Sequence, residues 1–182
     1  MTIRDDRRAV AIERMADHVL SEGLGAATLR PLAAAAGTSD RMLLYYFTDK
    51  NELLGATLAR VATRMIVELD DAVPVGALRP FGVLLQEVWK AMASERLQPF
   101  MPLWLDLAGG AARGMQPHRD ISGEIADGFL DWVSIRLQPD DGGAPGVLAP
   151  MFLAAIEGMY LLKVIGRGVL ADSAALEFAR RA

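Results

Sequence analysis

Apolar positions along the chain recur at the spacing of an α-helix, and no stretch alternates as a half-buried strand requires. Across residues 4–22, Ile12, Met15, Ala16 and Val19 fall on one side while charged residues occupy the other positions. The pattern predicts a one-sided helix. We expect it to end at residues 23–25, Gly-Leu-Gly, because glycine adopts the left-handed conformation that closes a helix.

Two short helices are predicted next, each opened by a capping residue. Thr28 is a suitable N-cap for the first helix, and Gly37 ends it. Ser39 can cap a second helix that runs to about Phe47. This order of caps and glycine predicts a helix-turn-helix. The first helix should bury Leu32, Ala33 and Ala36; the second should use Leu43, Leu44 and Phe47 as anchors, with Asp40, Arg41, Met42, Tyr45 and Tyr46 outside.

The rest of the chain is also patterned as helices. Asp49 and Glu52 have the spacing of a capping box at the start of a long helix that should reach about residue 71. Further helices are predicted at about 78–94, 99–113, 118–137 and 147–166, with a turn-rich loop at 139–146 and a short tail at 172–180. We therefore predict an all-α protein with an N-terminal three-helix head, residues 1–48, and a C-terminal helical body, residues 49–182.

The last two long helices carry more apolar surface than a helix with one buried face needs. Nearly every position of 148–165 is apolar, and a helix that is apolar on several faces must be buried on several faces. A two-fold homodimer through a four-helix bundle would cover this surface; the alternative is that both helices lie inside one subunit's core. The candidate dimer-interface residues are Ala126, Leu130, Val133, Leu137, Ala154, Ala155, Gly158 and Leu162.

Composition narrows the class of protein. The chain has 182 residues, enough for a sizeable core, and no cysteine, which excludes disulfides and thiolate chemistry. Although 52% of the residues are hydrophobic, the most apolar stretch is interrupted by Pro150, Glu157 and Lys163, so we predict no membrane span. The N-terminus lacks an apolar signal core. We expect a cytoplasmic protein.

Charge distinguishes the two ends of the chain. Residues 1–64 hold nine Lys and Arg against eight Asp and Glu, whereas residues 65–182 hold ten against fifteen, within a net charge of −4. Only the N-terminal part is electrostatically suited to phosphate, and then through a local contact surface rather than a general basic coat.

Catalysis has little support in the sequence. The two histidines, His18 and His118, do not form a pair at metal-ligand spacing. The triplet His118-Arg119-Asp120 matches part of a kinase catalytic loop, but the asparagine and the glycine-rich loop that accompany it are absent. We predict no enzyme activity, no metal and no cofactor.

Large apolar and polarisable side chains are concentrated in the body. They are either its core or the wall of a pocket for a small apolar or amphipathic effector, because Met and Trp line adaptable cavities well. The candidate effector-binding residues are Trp89, Met92, Phe100, Met101, Trp104, Leu105, Phe129, Trp132 and Met159.

Residues 7–54 carry a characteristic set in order and spacing: Gly23, Thr28, Leu32-Ala33, Ala36-Gly37, Ser39, Leu43, Tyr45-Tyr46-Phe47, Lys50 and Leu53. Through this set the segment resembles the TetR family of bacterial transcriptional regulators. The resemblance implies an all-α homodimer, a head that binds double-stranded DNA, and a body that binds a small-molecule inducer. It implies a ligand-responsive regulator, in its usual form a repressor that its effector releases from a palindromic operator.

The second short helix would enter the major groove, which is about 12 Å wide and admits one helix. Arg41 can bind guanine O6 and N7 together, and Met42 or Tyr45 can contact a thymine methyl group. Asp40 is a further candidate DNA-binding residue on the same helix. Thr28, Ser39, Tyr46 and Lys50 are the candidates for phosphate contacts.

Two residues depart from the family pattern in this region. Leu44 stands where a phosphate-binding tyrosine is usual, and Arg41 stands where glycine is common. The alternative function, which Leu44 favours, is a helical ligand-binding or interaction module without DNA binding. Two interpretations of Arg4, Arg7 and Arg8 stay open: further DNA contacts, or a solvated N-terminus.

Overall fold

The computed structural model describes residues 3–139 and 146–180, which form α-helices joined by short connections. The predicted all-α class and three-helix head are confirmed. Most of the loop predicted at 139–146 lies outside the described residues. The helices are α1 (Ile3–Glu22), α2 (Leu29–Ala35), α3 (Asp40–Tyr46), α4 (Lys50–Ala72), α5 (Phe81–Met92), α6 (Phe100–Ala112), α7 (Gln116–Ser134), α8 (Leu148–Leu162) and α9 (Gly168–Arg180), with a single helical turn at Leu24–Ala26.

The chain divides into two compact units. The first unit comprises residues 1–65 and 98–125, and the second comprises residues 66–97 and 126–182. Because the divisions fall within α4 and α7, each of these helices contributes to both units. The first unit contains α1, α2, α3 and α6 whole, and the second contains α5, α8 and α9 whole.

Gly37 ends α2, as the sequence predicts. Its φ is +71°, in the left-handed region. The N–H of Gly37 donates to the carbonyl of Ala34 at 3.0 Å and that of Thr38 donates to Ala33 at 2.9 Å, which together form a Schellman cap. A Cβ at residue 37 would lie 2.8 Å from Nη1 of Arg14, so both the backbone angle and the available space favour glycine.

The buried face of α3 is narrower than predicted. Leu43 is completely buried and Phe47 is 3% exposed, whereas Leu44 is 37% exposed. The predicted role of Leu44 as an apolar anchor is therefore wrong. Leu44 lies about 100° round the helix from Leu43, which is enough to turn it out of the core.

In the second unit, α5 and α9 meet with almost no space between them at Gly82. A Cβ on Gly82 would lie 1.9 Å from the carbonyl oxygen of Phe178. The Phe81 ring packs on Phe152 of α8 and Phe178 of α9, with centroid separations of 5.6 and 5.9 Å. These aromatic contacts join three helices in the core of this unit.

The C-terminal end of α7 is shorter than predicted. The helix ends at Ser134, not near residue 137, because the next residues pair with the backbone before α5. The N–H of Arg79 donates to the carbonyl of Arg136 at 2.9 Å, and the N–H of Gln138 donates to the carbonyl of Arg79 at 2.8 Å. This pairing gives hydrogen-bond partners to the carbonyl of Arg136 and the N–H of Gln138, which a further helical turn would otherwise have supplied.

Arg136, which the sequence did not single out, is a buried cation within the second unit. Its side chain is 1% exposed and donates to the carbonyls of Val73 and Trp132, each at 3.0 Å, and to the Asp70 carboxylate. Burial lowers the pKa of Arg136, and the Asp70 carboxylate opposes that change. The guanidinium thus joins the C-terminal ends of α4 and α7.

The last apolar stretch is broken at Ile165 and Gly166, close to the predicted end of the helix at about 147–166. Ile165 and Gly166 have non-helical backbone angles, with Gly166 at φ +79°, so α8 ends at Leu162 and α9 begins at Gly168. A break between helices at about 147–166 and 172–180 was predicted; in the structure α8 ends four residues before residue 166, and α9 begins four residues before residue 172. By length and composition alone, the helical segment Leu148–Arg180 could cross a membrane, and the core helix of a soluble protein can meet the same criterion. The break at Gly166 divides this segment into two helices, each shorter than the roughly 20 residues that a membrane span needs.

Candidate nucleic-acid interface

The outer face of α3 is defined by the position of its buried anchor, Leu43. Arg41 and Tyr45 each lie two positions from Leu43 and therefore point to the opposite side of a helix that turns about 100° per residue. Tyr45 is 60% exposed, and the flanking Met42 and Leu44 are 41% and 37% exposed. We call Arg41, Met42, Leu44 and Tyr45 the reading face. A guanidinium, a phenol and two apolar side chains match the hydrogen-bonding edges and methyl groups of the major groove.

The N-terminal end of α3 is capped as the sequence predicts. The Oγ of Ser39 accepts the N–H of Met42 at 3.3 Å, and the hydroxyl proton can still be donated to a phosphate oxygen. Asp40 is exposed in the first turn, where a carboxylate complements the positive end of the helix dipole. Thr28 holds the N-cap position of α2, as predicted, but its side chain makes no capping bond.

The start of α4 holds another of the candidate residues. The Oδ1 of Asp49 accepts the N–H groups of Asn51 and Glu52, both at 2.8 Å. The Glu52 carboxylate accepts the N–H of Thr48, one residue earlier than in a standard capping box. Lys50, in the first turn of this helix, is exposed and can reach a phosphate. Tyr46, a further phosphate candidate, is half-buried.

Two arginines of α1 contact the C-terminal end of α3, a feature that the sequence interpretation missed. Nη2 of Arg4 donates to the carbonyl of Tyr45 at 3.0 Å, and its guanidinium carbon lies 4.8 Å from the centre of the Tyr45 ring. Nε of Arg8 donates to the carbonyl of Tyr46 at 3.3 Å. Their spacing of four residues, which places both on one face of α1, was the signal available in the sequence.

Arg8 also connects the ends of three helices. Its guanidinium carbon lies 4.6 Å from the centre of the Phe47 ring, and Nη2 donates to Oε1 of Glu52 at 2.9 Å. The backbone N–H of Thr48 and the Arg8 guanidinium lower the pKa of Glu52, so its carboxylate stays ionised at neutral pH. One arginine thus touches the end of α3, the residue after it and the first turn of α4.

The predicted effector-binding residues fall in both units. Phe100, Met101, Trp104 and Leu105, all on α6, belong to the first unit; Trp89, Met92, Phe129, Trp132 and Met159 belong to the second. In the second unit the indole N–H of Trp89 donates to Asp172 and that of Trp132 donates to Asp70, both at 2.8 Å. The Phe129 and Trp132 rings stack at 5.7 Å.

The predicted dimer-interface residues separate into buried and accessible groups. Val133 and Leu137 are 0% and 7% exposed and pack inside the second unit, so we leave them out of the interface proposed below. Ala154 and Gly158 are exposed on α8. The remaining candidates, Ala126, Leu130, Ala155 and Leu162, are half-buried.

Residues 16–57 match the family model described as "Bacterial regulatory proteins, tetR family". This segment is a TetR-family domain. The resemblance inferred from the residues of the head is confirmed, since the matched segment includes α2, α3 and their connection. A search of curated protein sequences gives no match for the chain.

The whole chain has the same fold as several solved proteins, one of which is described as a TetR-family transcriptional regulator. A transcriptional regulator of this family from Cytophaga hutchinsonii is 17% identical, with a TM-score of 0.73 over 99% of this chain and 94% of that one. The multidrug binding protein EbrR in complex with proflavin is 18% identical, with a TM-score of 0.70 over 96% and 98%. Its complex with imidazole is 17% identical, with a TM-score of 0.70 over 98% and 93%.

Proposed function

We propose that this protein is a ligand-responsive transcriptional repressor that binds a palindromic DNA operator as a homodimer and leaves it when a small effector binds. The observation that carries the DNA-binding part is the reading face of α3. It is exposed, it lies opposite a buried anchor, and it bears the donor, Arg41, best suited to a guanine edge.

The charges of the first unit support this role. Two of its acidic residues on α1 are paired with α4: Arg60 and Arg64 both bind Glu13, and Arg64 also binds Asp17. These hydrogen bonds lower the pKa of Glu13, and the bond from Arg64 has a larger effect than the bond from Arg60. Repulsion between phosphates and these carboxylates is reduced because each carboxylate has a neighbouring cation.

DNA binding is tested by selection from a random duplex library, followed by titration of the selected site at several salt concentrations. We expect an inverted repeat and a steep fall of log K with log salt, by about 0.9 per phosphate contact. Absence of binding even at low salt would favour the alternative function, a ligand-binding or interaction module without DNA binding, which Leu44 on the reading face supports.

Arg41→Ala tests the assignment of the base-reading residue. We expect preference at one position in each half-site to relax by about 1–3 kcal/mol. Arg41→Lys is the matched variant, because it keeps the charge and loses the bidentate geometry. Both variants should relax the base preference at the same position of the half-site. An unchanged selected motif would show that Arg41 does not read a base.

The proposed dimer contact is an apolar stripe on α8. Met151, Ala154, Gly158 and Leu161 follow one another at intervals of three, four and three residues, and all four are exposed. This is the spacing of a seam between packed helices, and the small residues let a second helix approach closely. On α9, Val169 adds to the apolar surface at 79% exposure. A second copy would cover both helices and complete a four-helix bundle.

Leu161→Glu tests the dimer by sedimentation equilibrium. Placing a carboxylate in the seam should weaken self-association about thirtyfold or more. Val75→Glu is the matched control, because Val75 is also an exposed apolar residue of the second unit, at 63%. A monomeric wild-type protein, or equal effects of the two variants, would contradict the proposed seam.

The effector proposal rests on the aromatic and methionine side chains of the body. The indole N–H groups of Trp89 and Trp132 already donate to carboxylates, so an effector would meet their rings rather than their N–H groups. EbrR, which shares the fold, is solved with imidazole and with proflavin. We propose an apolar or amphipathic effector on this basis.

Fluorescence titration with proflavin and imidazole as probes tests the effector site. Trp89→Leu should weaken binding, since Trp89 is one of the second-unit aromatic residues on which the proposal rests. Release of the selected DNA duplex by the same probe would connect ligand and operator. Binding of either probe that leaves DNA affinity unchanged would contradict regulation by that compound.

A further inference from the structure

The C-terminal end of α3 lacks the local features that end a short helix. α3 has seven residues, and its last four carbonyl groups have no intrahelical partner. Its C-cap, Phe47, has an extended backbone with φ −128°, so no left-handed residue closes the helix. A helix of this length is unstable on its own, and its end depends on bonds from elsewhere.

Arg4 and Arg8 supply those bonds. The carbonyls of Tyr45 and Tyr46, the last two of α3, accept guanidinium N–H groups at 3.0 and 3.3 Å. The two positive charges also lie at the negative end of the helix dipole. Both bonds reach the backbone, so they hold the helix and not only one of its side chains.

Each arginine makes a second contact that fixes its direction. Arg4 lies over the Tyr45 ring, and Arg8 lies over the Phe47 ring while it binds the Glu52 carboxylate. Because Glu52 also accepts the N–H of Thr48, the same group ties the segment after α3 to the start of α4. The end of α3 is therefore attached to two other helices through one arginine.

We infer that Arg4 and Arg8 are positioning residues that hold the C-terminal end of the recognition helix in its DNA-reading orientation. This inference rests on the proposed DNA-binding function. It differs from the interpretation in which N-terminal arginines bind phosphate, because the donors that the structure shows in use point at protein carbonyls and a carboxylate.

The two roles predict different responses to salt and to a conservative substitution. Loss of a phosphate contact reduces the slope of log K against log salt by about 0.9 and weakens binding to every duplex. Loss of a positioning contact weakens the selected site and leaves that slope unchanged. Lysine can replace arginine at a phosphate, but it lacks the planar fork that binds Tyr46 and Glu52 together.

The experiment compares Arg8→Lys, Arg4→Gln and the control Arg7→Gln, an exposed arginine on the same helix. Each variant is titrated with the selected duplex and with an unrelated duplex across a salt series. We expect Arg8→Lys to bind the selected duplex about tenfold more weakly with an unchanged salt slope. Arg4→Gln should have a smaller effect of the same kind, since Arg4 is more exposed. Arg7→Gln should not reduce selectivity between the duplexes.

Two outcomes would overturn the inference. One is that Arg8→Lys binds the selected duplex as tightly as the wild-type protein does. The other is a fall in salt slope of about one unit in Arg4→Gln with equal loss on both duplexes, which is the behaviour of a phosphate contact.

Hydrogen exchange separates this inference from the proposed function. Without DNA, Arg8→Lys should speed exchange of the amide protons of residues 43–46 about tenfold and leave α2 unchanged. Unchanged exchange in α3 would refute positioning even if the protein binds DNA. If the wild-type protein binds no DNA, faster exchange in α3 would still show that Arg8 holds this helix, and only the proposed function would fail.

Discussion

The two helices of the helix-turn-helix have the same length but end by different means. α2 and α3 each contain seven residues. α2 ends at Gly37, whose left-handed conformation and Schellman bonds involve only neighbours in sequence. α3 ends without such a residue, and its last carbonyls are bonded by Arg4 and Arg8, about 40 residues earlier in the chain. α2 is closed locally, whereas α3, the proposed reading helix, is held by bonds from α1.

The difference teaches what each helix requires. A supporting helix needs only to end in the correct place, and one glycine ensures that. A helix that reads DNA must also keep its outer face at a fixed angle, and bonds from another helix can supply that constraint. Substitutions at the two helix ends should therefore affect different properties, stability for α2 and orientation for α3.

The largest effect on stability is expected from Gly37→Ala. A non-glycine residue in the left-handed region costs about 1–2 kcal/mol, and the new methyl group would also displace Arg14. Urea denaturation should show this loss in the free energy of unfolding. Gly55→Ala is the control, because a Cβ there meets nothing within 4 Å and alanine favours the interior of α4. An equal loss in both variants would contradict the special role of Gly37.

A smaller effect is expected at the N-terminal ends of the same two helices. Ser39 accepts a capping bond and Thr28 does not. Ser39→Ala should lower the free energy of unfolding by about 1 kcal/mol, and Thr28→Ala by less than about half of that. Chemical denaturation measured on both variants gives the comparison. A greater loss for Thr28→Ala would show that the hydroxyl of Thr28 caps α2 in solution.

The smallest effect is expected from Glu52→Gln, and it should depend on pH. Folding lowers the pKa of Glu52 below its ordinary value of 4.5, so the ionised carboxylate stabilises the fold above that value. This stabilisation is lost as pH falls through the lowered pKa. The stability difference between wild type and Glu52→Gln should therefore be present near neutral pH and fade under acid. A stability difference that stays the same from neutral pH to acid would contradict this role of the Glu52 carboxylate.

Features of the head that depend on neighbouring residues could be predicted from the sequence. Gly37, Ser39 and the buried stripe of α2 follow from capping rules and periodicity. Leu44 could not be placed correctly by apolarity alone, because its direction depends on which neighbour is the anchor. The four-residue spacing of Arg4 and Arg8 showed that both lie on one face of α1, but their partners could not be predicted because these bonds join residues that are distant in sequence.

The body shows the same limit at its helix ends. The helical pattern predicted each long helix, but α7 stops early because Arg79, far away in sequence, pairs with Arg136 and Gln138, which follow α7. The break at Gly166 was predicted, but the start of α9 at Gly168 lies four residues before the predicted 172, because periodicity does not fix where a helix begins in a run of apolar residues. Nothing in the sequence distinguishes Arg136 from a surface cation, and only the fold shows that it is buried.

The contacts from Arg4 and Arg8 to backbone carbonyls have a consequence for how binding specificity can evolve. A carbonyl group is present whichever amino acid occupies the position, so these hydrogen bonds do not depend on the side chains of Arg41, Met42 and Leu44. Arg41, Met42 and Leu44 can then change in descendants while the helix keeps its place. A regulator built in this way can acquire a new operator through single substitutions, each tested by selection without the loss of a folded head.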